Sequence, residues 1–148
     1  MYYVNMKILF ICRGNMFRSQ MAEALYNKLS NTIDAISAGT YVGAPDAPEG
    51  QIISEHFKTL DFFELMEKNG MYIRDKKTRK LTSEMLAEAD ITVAMVQDPY
   101  IPDFLRNDKK VVWWNIKDPS RATKEVSEST YAQLSLLITD LISKNLSK

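Results

Sequence analysis

The chain of 148 residues has one cysteine, one histidine, five glycines and five prolines, and no excess of either charge. The lone cysteine, Cys12, forms no intrachain disulfide and no cysteine cage for a metal, which suits a reducing, cytoplasmic setting. With only His56 beside it a metal site is not expected, and no other cofactor is called for. The 19 basic and 19 acidic residues cancel. No long-range field therefore draws in nucleic acid or an anionic membrane, and any affinity for anions has to be local. Long apolar runs are missing as well. None approaches the roughly 20 residues of a bilayer span, so no membrane segment is expected. The opening Met1 to Lys7 lacks a basic segment followed by an apolar stretch and does not read as a signal peptide. There is no repeat, low-complexity tract or interdomain linker. With 45% hydrophobic and 26% charged residues, the chain reads as one domain over residues 1–148.

Met6 to Ile11 make a nearly continuous apolar run stopped by Arg13-Gly14-Asn15, the pattern of a strand buried on both faces. From Ser19 the pattern turns helical, with Met21, Ala22, Leu25 and Leu29 along one side. A second strand is expected over Thr32 to Ser37, ending in Ala38-Gly39, and then a loop through Gly43, Pro45, Asp46 and Pro48. One long helix is expected from about Glu49 to Asn69, stopped by Gly70. The basic stretch Arg74 to Lys80 reads as a solvated loop leading to a short helix from Thr82 or Ser83. Ile91 to Val96 and Val111 to Ile116 supply two more strands, and Ser127 to Leu146 the last helix. Trp113 and Trp114 point to opposite faces of the fourth strand, one toward the core and one toward the loop that follows. Strands alternating with helices predict an α/β domain: a four-stranded parallel doubly wound sheet with helices on both faces. Ligands of such sheets bind beyond the carboxyl ends of the strands. Cys12, Ser37, Gln97 and Asp118 all lie at or just past expected strand ends. The chemistry is sought along that edge.

Cys12-Arg13-Gly14-Asn15-Met16-Phe17-Arg18-Ser19 joins the first strand to the first helix. A loop in this position offers backbone N–H groups that no helix partner takes, together with the positive end of the helix dipole. It is an anion cradle by construction. Gly14 is suited to the positive backbone dihedral of such a nest, and Asn15 is the residue type that next most readily adopts it. Arg18 adds a planar fork for two oxygens. Amides, dipole and arginines together favour thiolate over thiol at Cys12, and a thiolate facing a bound phosphoryl group is a nucleophile. Ser19 either caps the helix or donates to the sulfur, or does both. The loop residues Arg13, Gly14, Asn15, Met16, Phe17, Arg18 and Ser19 are the expected binding set.

Ile8 to Glu23, with Cys12, Gly14-Asn15, Arg18-Ser19 and Met21-Ala22-Glu23, resembles the amino-terminal signature of the low-molecular-weight protein tyrosine phosphatases and the related thioredoxin-coupled arsenate reductases. Ser37-Ala38-Gly39-Thr40 looks like the family's next turn and Asp118-Pro119 like its late acid loop, so the likeness spans most of the chain in order. The resemblance implies a cysteine-dependent phosphomonoester hydrolase working through a phosphocysteine intermediate. Cys12 would be the nucleophile, Arg18 the phosphate clamp and Asp118 the general acid. Ser19 would donate to the thiolate, and Asn15 would hold the loop through Ser19 and Ser37. The partner would be a phosphorylated protein or a small phosphate ester. Nothing fixes an oligomeric state.

The departures from the family pattern matter too. Phe17 stands where the family often has a second cysteine, and Gln20 replaces a usual proline. Ser120-Arg121 follow Asp118-Pro119, where many tyrosine phosphatases of this kind carry two tyrosines against the phenol ring; Tyr41, Met16 or Phe17 would have to supply that wall. The spacing from Trp114 to Asp118-Pro119 looks more like the arsenate reductase branch, which normally uses two further cysteines. Arsenate reduction would here need an external thiol. A noncatalytic oxyanion-binding module is the third reading, and intact Cys12, Arg18 and Asp118 speak against it.

Overall fold

Every residue of strand β1, Ile8–Cys12, is buried, because it lies in mid-sheet and its alternate side chains enter two different cores. The computed structural model describes residues 6–57, 60–119 and 121–146. β1 pairs in parallel with β2, Ala35–Gly39, on one side and with β3, Ile91–Ala94, on the other. A two-residue strand β4, Val112–Trp113, joins β3, giving the order β2-β1-β3-β4. Ile8 and Phe10 point into the larger core. It is closed by helices α1, Arg18–Ser30, α3, Leu60–Lys68, and α6, Lys124–Leu146, through Met21, Leu25, Phe62, Phe63, Leu134 and Ile138. The short helix α2, Ile53–His56, adds Ile53. Leu9 and Ile11 face the smaller core, under α4, Ser83–Glu88, and α5, Asp103–Arg106, with Leu86, Leu105 and Val111. The period of two along β1 thus becomes a sheet with helices on both faces. β1 has its neighbours on opposite sides, so the chain leaves its carboxyl end at the switch point of the sheet, where a crevice opens.

One long helix over Glu49 to Asn69 does not form. Gly50 has φ +86, outside the helical region, and its stretch runs extended against residues 76–78 instead. Gly50 N–H donates to Thr78 C=O at 2.8 Å, Thr78 N–H to Gln51 C=O at 2.9 Å and Ile53 N–H to Lys76 C=O at 2.9 Å. Helix α3 does stop before Gly70, whose φ is +83. β2 begins three residues later than expected, since Asn31, at φ +57, caps α1 and Thr32 N–H bonds back to Asn27 C=O. β4 is shorter than Val111 to Ile116 because the chain turns out of the sheet after Trp114, and Ile116 C=O is taken by Arg18 and Gln97. α6 starts at Lys124, not Ser127, where Thr123 Oγ1 accepts from Val126 N–H. Trp114 enters the core against Phe10, ring centroids 5.9 Å apart, while Trp113 is 43% exposed on the edge strand. His56 is exposed. Among the described residues, no helix is long and apolar enough to cross a membrane.

Candidate active site

Cys12 closes β1, and the backbone folds back over its sulfur, so that Asn15 N–H points at Sγ from 3.3 Å. The positive dihedral belongs to Asn15, at φ +55, and not to Gly14 as the sequence suggests first. Asparagine is the fitting residue there because its side chain is needed as well. Asn15 Oδ1 accepts from Arg79 N–H at 2.8 Å. A backbone amide only donates, so the Asn15 carboxamide is fixed in orientation and its two Nδ2 protons face the other way. They go to Ser19 Oγ at 2.7 Å and Ser37 Oγ at 2.9 Å. Each hydroxyl, having accepted, has its own proton left to give. Ser37 gives it to Glu23 Oε1 at 2.9 Å, and Ser19 directs it to Cys12 Sγ at 3.0 Å. The sequence left Ser19 between cap and donor. Phe17 in fact occupies the cap position of α1, without a side-chain hydrogen bond.

The basic stretch Arg74 to Lys80 is not simply solvated. Lys76 Nζ lies 3.1 Å from the nearly buried Glu23 carboxylate, and the backbone of Arg79 grips both Asn15 and, through its carbonyl, Gly39 N–H at 2.9 Å. Gln20 Nε2 bridges Asn15 C=O and Lys77 C=O at 3.2 and 3.3 Å. Gly39, which the sequence marks as the end of the second strand and part of a family-like turn, is a further steric requirement of the loop. A Cβ there would sit 2.7 Å from Arg13 C=O and 2.7 Å from Val42 Cγ2, so only glycine lets β2 pass this close to the loop.

Arg18 is buried, 2% exposed, and anchored on one side. Its Nη1 donates to the carbonyls of Met95 and Ile116 and to Gln97 Oε1. Three carbonyl-type oxygens on Nη1 turn the opposite edge of the guanidinium toward the loop mouth. There Nη2 lies 3.7 Å from Asp118 Oδ1. Arg13 Nη1 lies 3.9 Å from Asp118 Oδ2. The carboxylate thus stands at the mouth between the two arginines, its side chain 43% exposed. Asp98, the other aspartate before a proline, is held by Arg106.

Arg13 in turn stacks on two rings, with its guanidinium carbon 3.8 Å from the centroid of Tyr100 and 5.3 Å from that of Tyr41. The rings meet edge to face at 5.5 Å. Tyr41 donates to Asp46 at 2.9 Å, and that hydrogen bond, with the carboxylate's charge, raises the phenol above its ordinary pKa. This pair is the aromatic cluster packed around Arg13 beside the mouth. Tyr100 was not foreseen as part of it, since nothing local in Asp98-Pro99-Tyr100 signals a ring meeting residue 41. Phe17 is not part of it: its ring is buried against Phe57 and Phe62, 5.8 and 4.8 Å away, because the loop turns that side chain into the larger core. Met16 is half-buried and packs on the same core. Ser120 lies outside the described residues. Beside the mouth a cavity of about 850 Å³ runs from Arg13, Gln97 and Asp118 to Val126 and Thr130 of α6.

The fold and the chain's sequence are similar to those of known proteins. Residues 7–148 match the sequence profile of the low molecular weight phosphotyrosine protein phosphatases. The chain is 29% identical to the low molecular weight protein tyrosine phosphatase of T. tengcongensis, whose solved structure superposes with a TM-score of 0.73 over 94% of this chain and 99% of that one. It is 25% identical to the YwlE arginine phosphatase of Geobacillus stearothermophilus, with a TM-score of 0.75 over 96% and 94%. It is also 29% identical to an arsenate reductase of Halalkalibacterium halodurans, over 80% of this chain and 78% of that protein.

Proposed function

Because the chain belongs to the low molecular weight phosphotyrosine protein phosphatase family, we propose that this hydrolase removes phosphate from phosphotyrosine in proteins through a phosphocysteine on Cys12. The observation that carries the reading is the Ser19 proton aimed at Cys12 Sγ inside a helix-start cradle. Hydrogen bonds from Ser19 and from Asn15 N–H aim the sulfur into the cradle and support it both as attacker and as leaving group.

Cys12 Sγ attacks phosphorus while the P–O ester bond breaks. The loop amides of residues 13 to 18 and the free edge of Arg18 hold the equatorial oxygens, whose charge peaks in the transition state. A phosphoryl group at Arg18 Nη2 displaces Asp118 from that contact; the freed carboxylate takes up a proton from solvent and, as the acid beside the departing oxygen, gives it to that oxygen. Asp118 then takes a proton from water as that water attacks phosphorus and the P–S bond breaks. Inorganic phosphate leaves and the thiolate is restored. Asn15 and Ser37 act by position, through Ser19. The rings of Tyr41 and Tyr100, clustered around Arg13, add aromatic surface near the mouth that a phenyl ester can contact, which supports phosphotyrosine over phosphoserine.

Arsenate reduction with an external thiol is the second reading, favoured by the same cradle, which fits any tetrahedral oxyanion, and by the relative of that activity. A noncatalytic module has no use for an aspartate shared between the loop's two arginines. A cytoplasmic location belongs to the proposal and is supported by the single free thiol. The test sets an aryl phosphate and peptides with phosphotyrosine, phosphoarginine or phosphoserine beside arsenate with and without a low-molecular-weight thiol. Turnover of the aryl phosphate and the phosphotyrosine peptide, abolished by Cys12→Ser while vanadate binding survives, is the expected result. Wild-type turnover in that variant removes Cys12 from the mechanism, and thiol consumption only with arsenate selects the second reading.

A further inference from the structure

The loop that carries the aspartate reads Lys117-Asp118-Pro119-Ser120-Arg121, and Lys117 and Arg121 both line the cavity beside the mouth. The acids bordering that cavity are mostly spoken for. Asp98 is paired with Arg106, and Asp118 with Arg13 and Arg18. Glu125, in the first turn of α6, lines it too. Among the described residues neither Lys117 nor Arg121 is in an ion pair, and Glu125 is the one bordering acid without one. Two cations and one carboxylate without ion-pair partners among the described residues therefore border a cavity that also reaches Asp118. The chain has no net charge, so this local surplus is what an arriving peptide meets.

Resting on the phosphotyrosine reading above, we infer that Lys117 and Arg121 determine specificity by receiving an acidic side chain next to the phosphorylated residue of a protein substrate. Both side chains are exposed, so the preference is moderate and salt-sensitive. Exposed ion pairs of this kind are worth about twofold to fivefold in affinity for each charge.

The experiment compares three phosphotyrosine peptides that differ only in the residues flanking the phosphotyrosine: glutamate, glutamine or lysine. In low salt, wild-type kcat/KM should fall in that order, and the spread should collapse as the Debye length shrinks to about 3 Å near 1 M salt. Lys117→Gln with Arg121→Gln should level the three rates, and Lys117→Glu with Arg121→Glu should reverse the order. Each ratio is taken within one enzyme sample, so a misfolded fraction cancels. Equal wild-type rates on the three peptides, or a glutamate preference that survives charge reversal, would overturn the inference and leave the phosphotyrosine reading standing. Hydrolysis of an aryl phosphate with no hydrolysis of any of these peptides would refute that reading, and the inference with it.

Discussion

Replacing Asn15 by alanine removes the element that both shapes the loop and aims the serine, and the structure sets the size of the loss. Three short side-chain hydrogen bonds disappear: to Ser19 at 2.7 Å, to Ser37 at 2.9 Å and from Arg79 N–H at 2.8 Å. At about 1 kcal/mol each, they amount to about 3 kcal/mol, the two to the serines being buried and the one from Arg79 partly so. Alanine must also hold φ +55, which asparagine tolerates and alanine does not, for about 1 kcal/mol more. The total of about 4 kcal/mol is a large share of the 5–15 kcal/mol that separates folded from unfolded domains. Asn15→Gly loses the same bonds without the dihedral strain and should fall short of wild type by about 3 kcal/mol. Urea unfolding of the three proteins measures both quantities. In native buffer kcat should drop in both variants, because the Ser19 hydroxyl no longer has its acceptor lone pairs engaged and is free to turn from Cys12. Unfolding of Asn15→Ala within about 1 kcal/mol of wild type would refute the network as the support of the loop. Equal losses for alanine and glycine would show that no strain is stored at residue 15.

Gly39→Ala should raise the inhibition constant for phosphate, because the new Cβ pushes on Arg13 C=O and Val42, and overpacking of this kind costs about 1–3 kcal/mol. Unchanged phosphate inhibition would show that β2 does not set the loop's position. Arg18→Lys retains the charge but not the fork, so kcat/KM should fall at least about tenfold to a hundredfold, the equivalent of one charge-assisted hydrogen bond; an unchanged value removes Arg18 from the chemistry. Asp118→Asn should slow esters of basic alcohols by about a hundredfold to ten-thousandfold and activated aryl esters least. Parallel leaving-group slopes for variant and wild type, normalised to the phosphoenzyme burst, would strip Asp118 of the acid role.

The parts of the fold that were legible in the sequence are those whose signal is local. β1 announces itself because a strand buried on both faces is apolar at every position, and its loop because cysteine, glycine, asparagine and arginine crowd eight residues. The stretch before α3 misleads for a physical reason: Glu49 to Asn69 carries a helical pattern, but backbone pairing with residues 76–78 and the positive φ of Gly50 outweigh it. The same pairing hid the role of the basic stretch. Its charges suggest a solvated loop, whereas beside the Lys76 contact to Glu23 its contribution comes from backbone groups that no side-chain pattern reports, Arg79 N–H and C=O above all. Tyr100 was illegible for a related reason, since its stacking on Arg13 joins residues 87 positions apart.

A protein with as many acidic as basic residues has no field with which to draw in a phosphate ester, so the attraction must be built from groups that are not counted in the net charge. Unpaired amides at the start of α1 are such groups, and burying Arg18 behind three oxygens on Nη1 makes its other edge the one polar face presented to the mouth. That arrangement has a consequence in the resting protein. An arginine facing a cradle of N–H groups is a concentration of positive charge, and Asp118, between Arg13 and Arg18, balances it. A phosphoryl dianion brings two negative charges to the same spot and competes for the same guanidinium edge. On the proposed mechanism, binding therefore exchanges one anion for another instead of creating a new ion pair, and the carboxylate that yields its place is left next to the ester oxygen. On that proposal the counter-ion of the resting site and the acid of the occupied one are a single residue, because the phosphoryl group takes the guanidinium edge that Asp118 holds at rest.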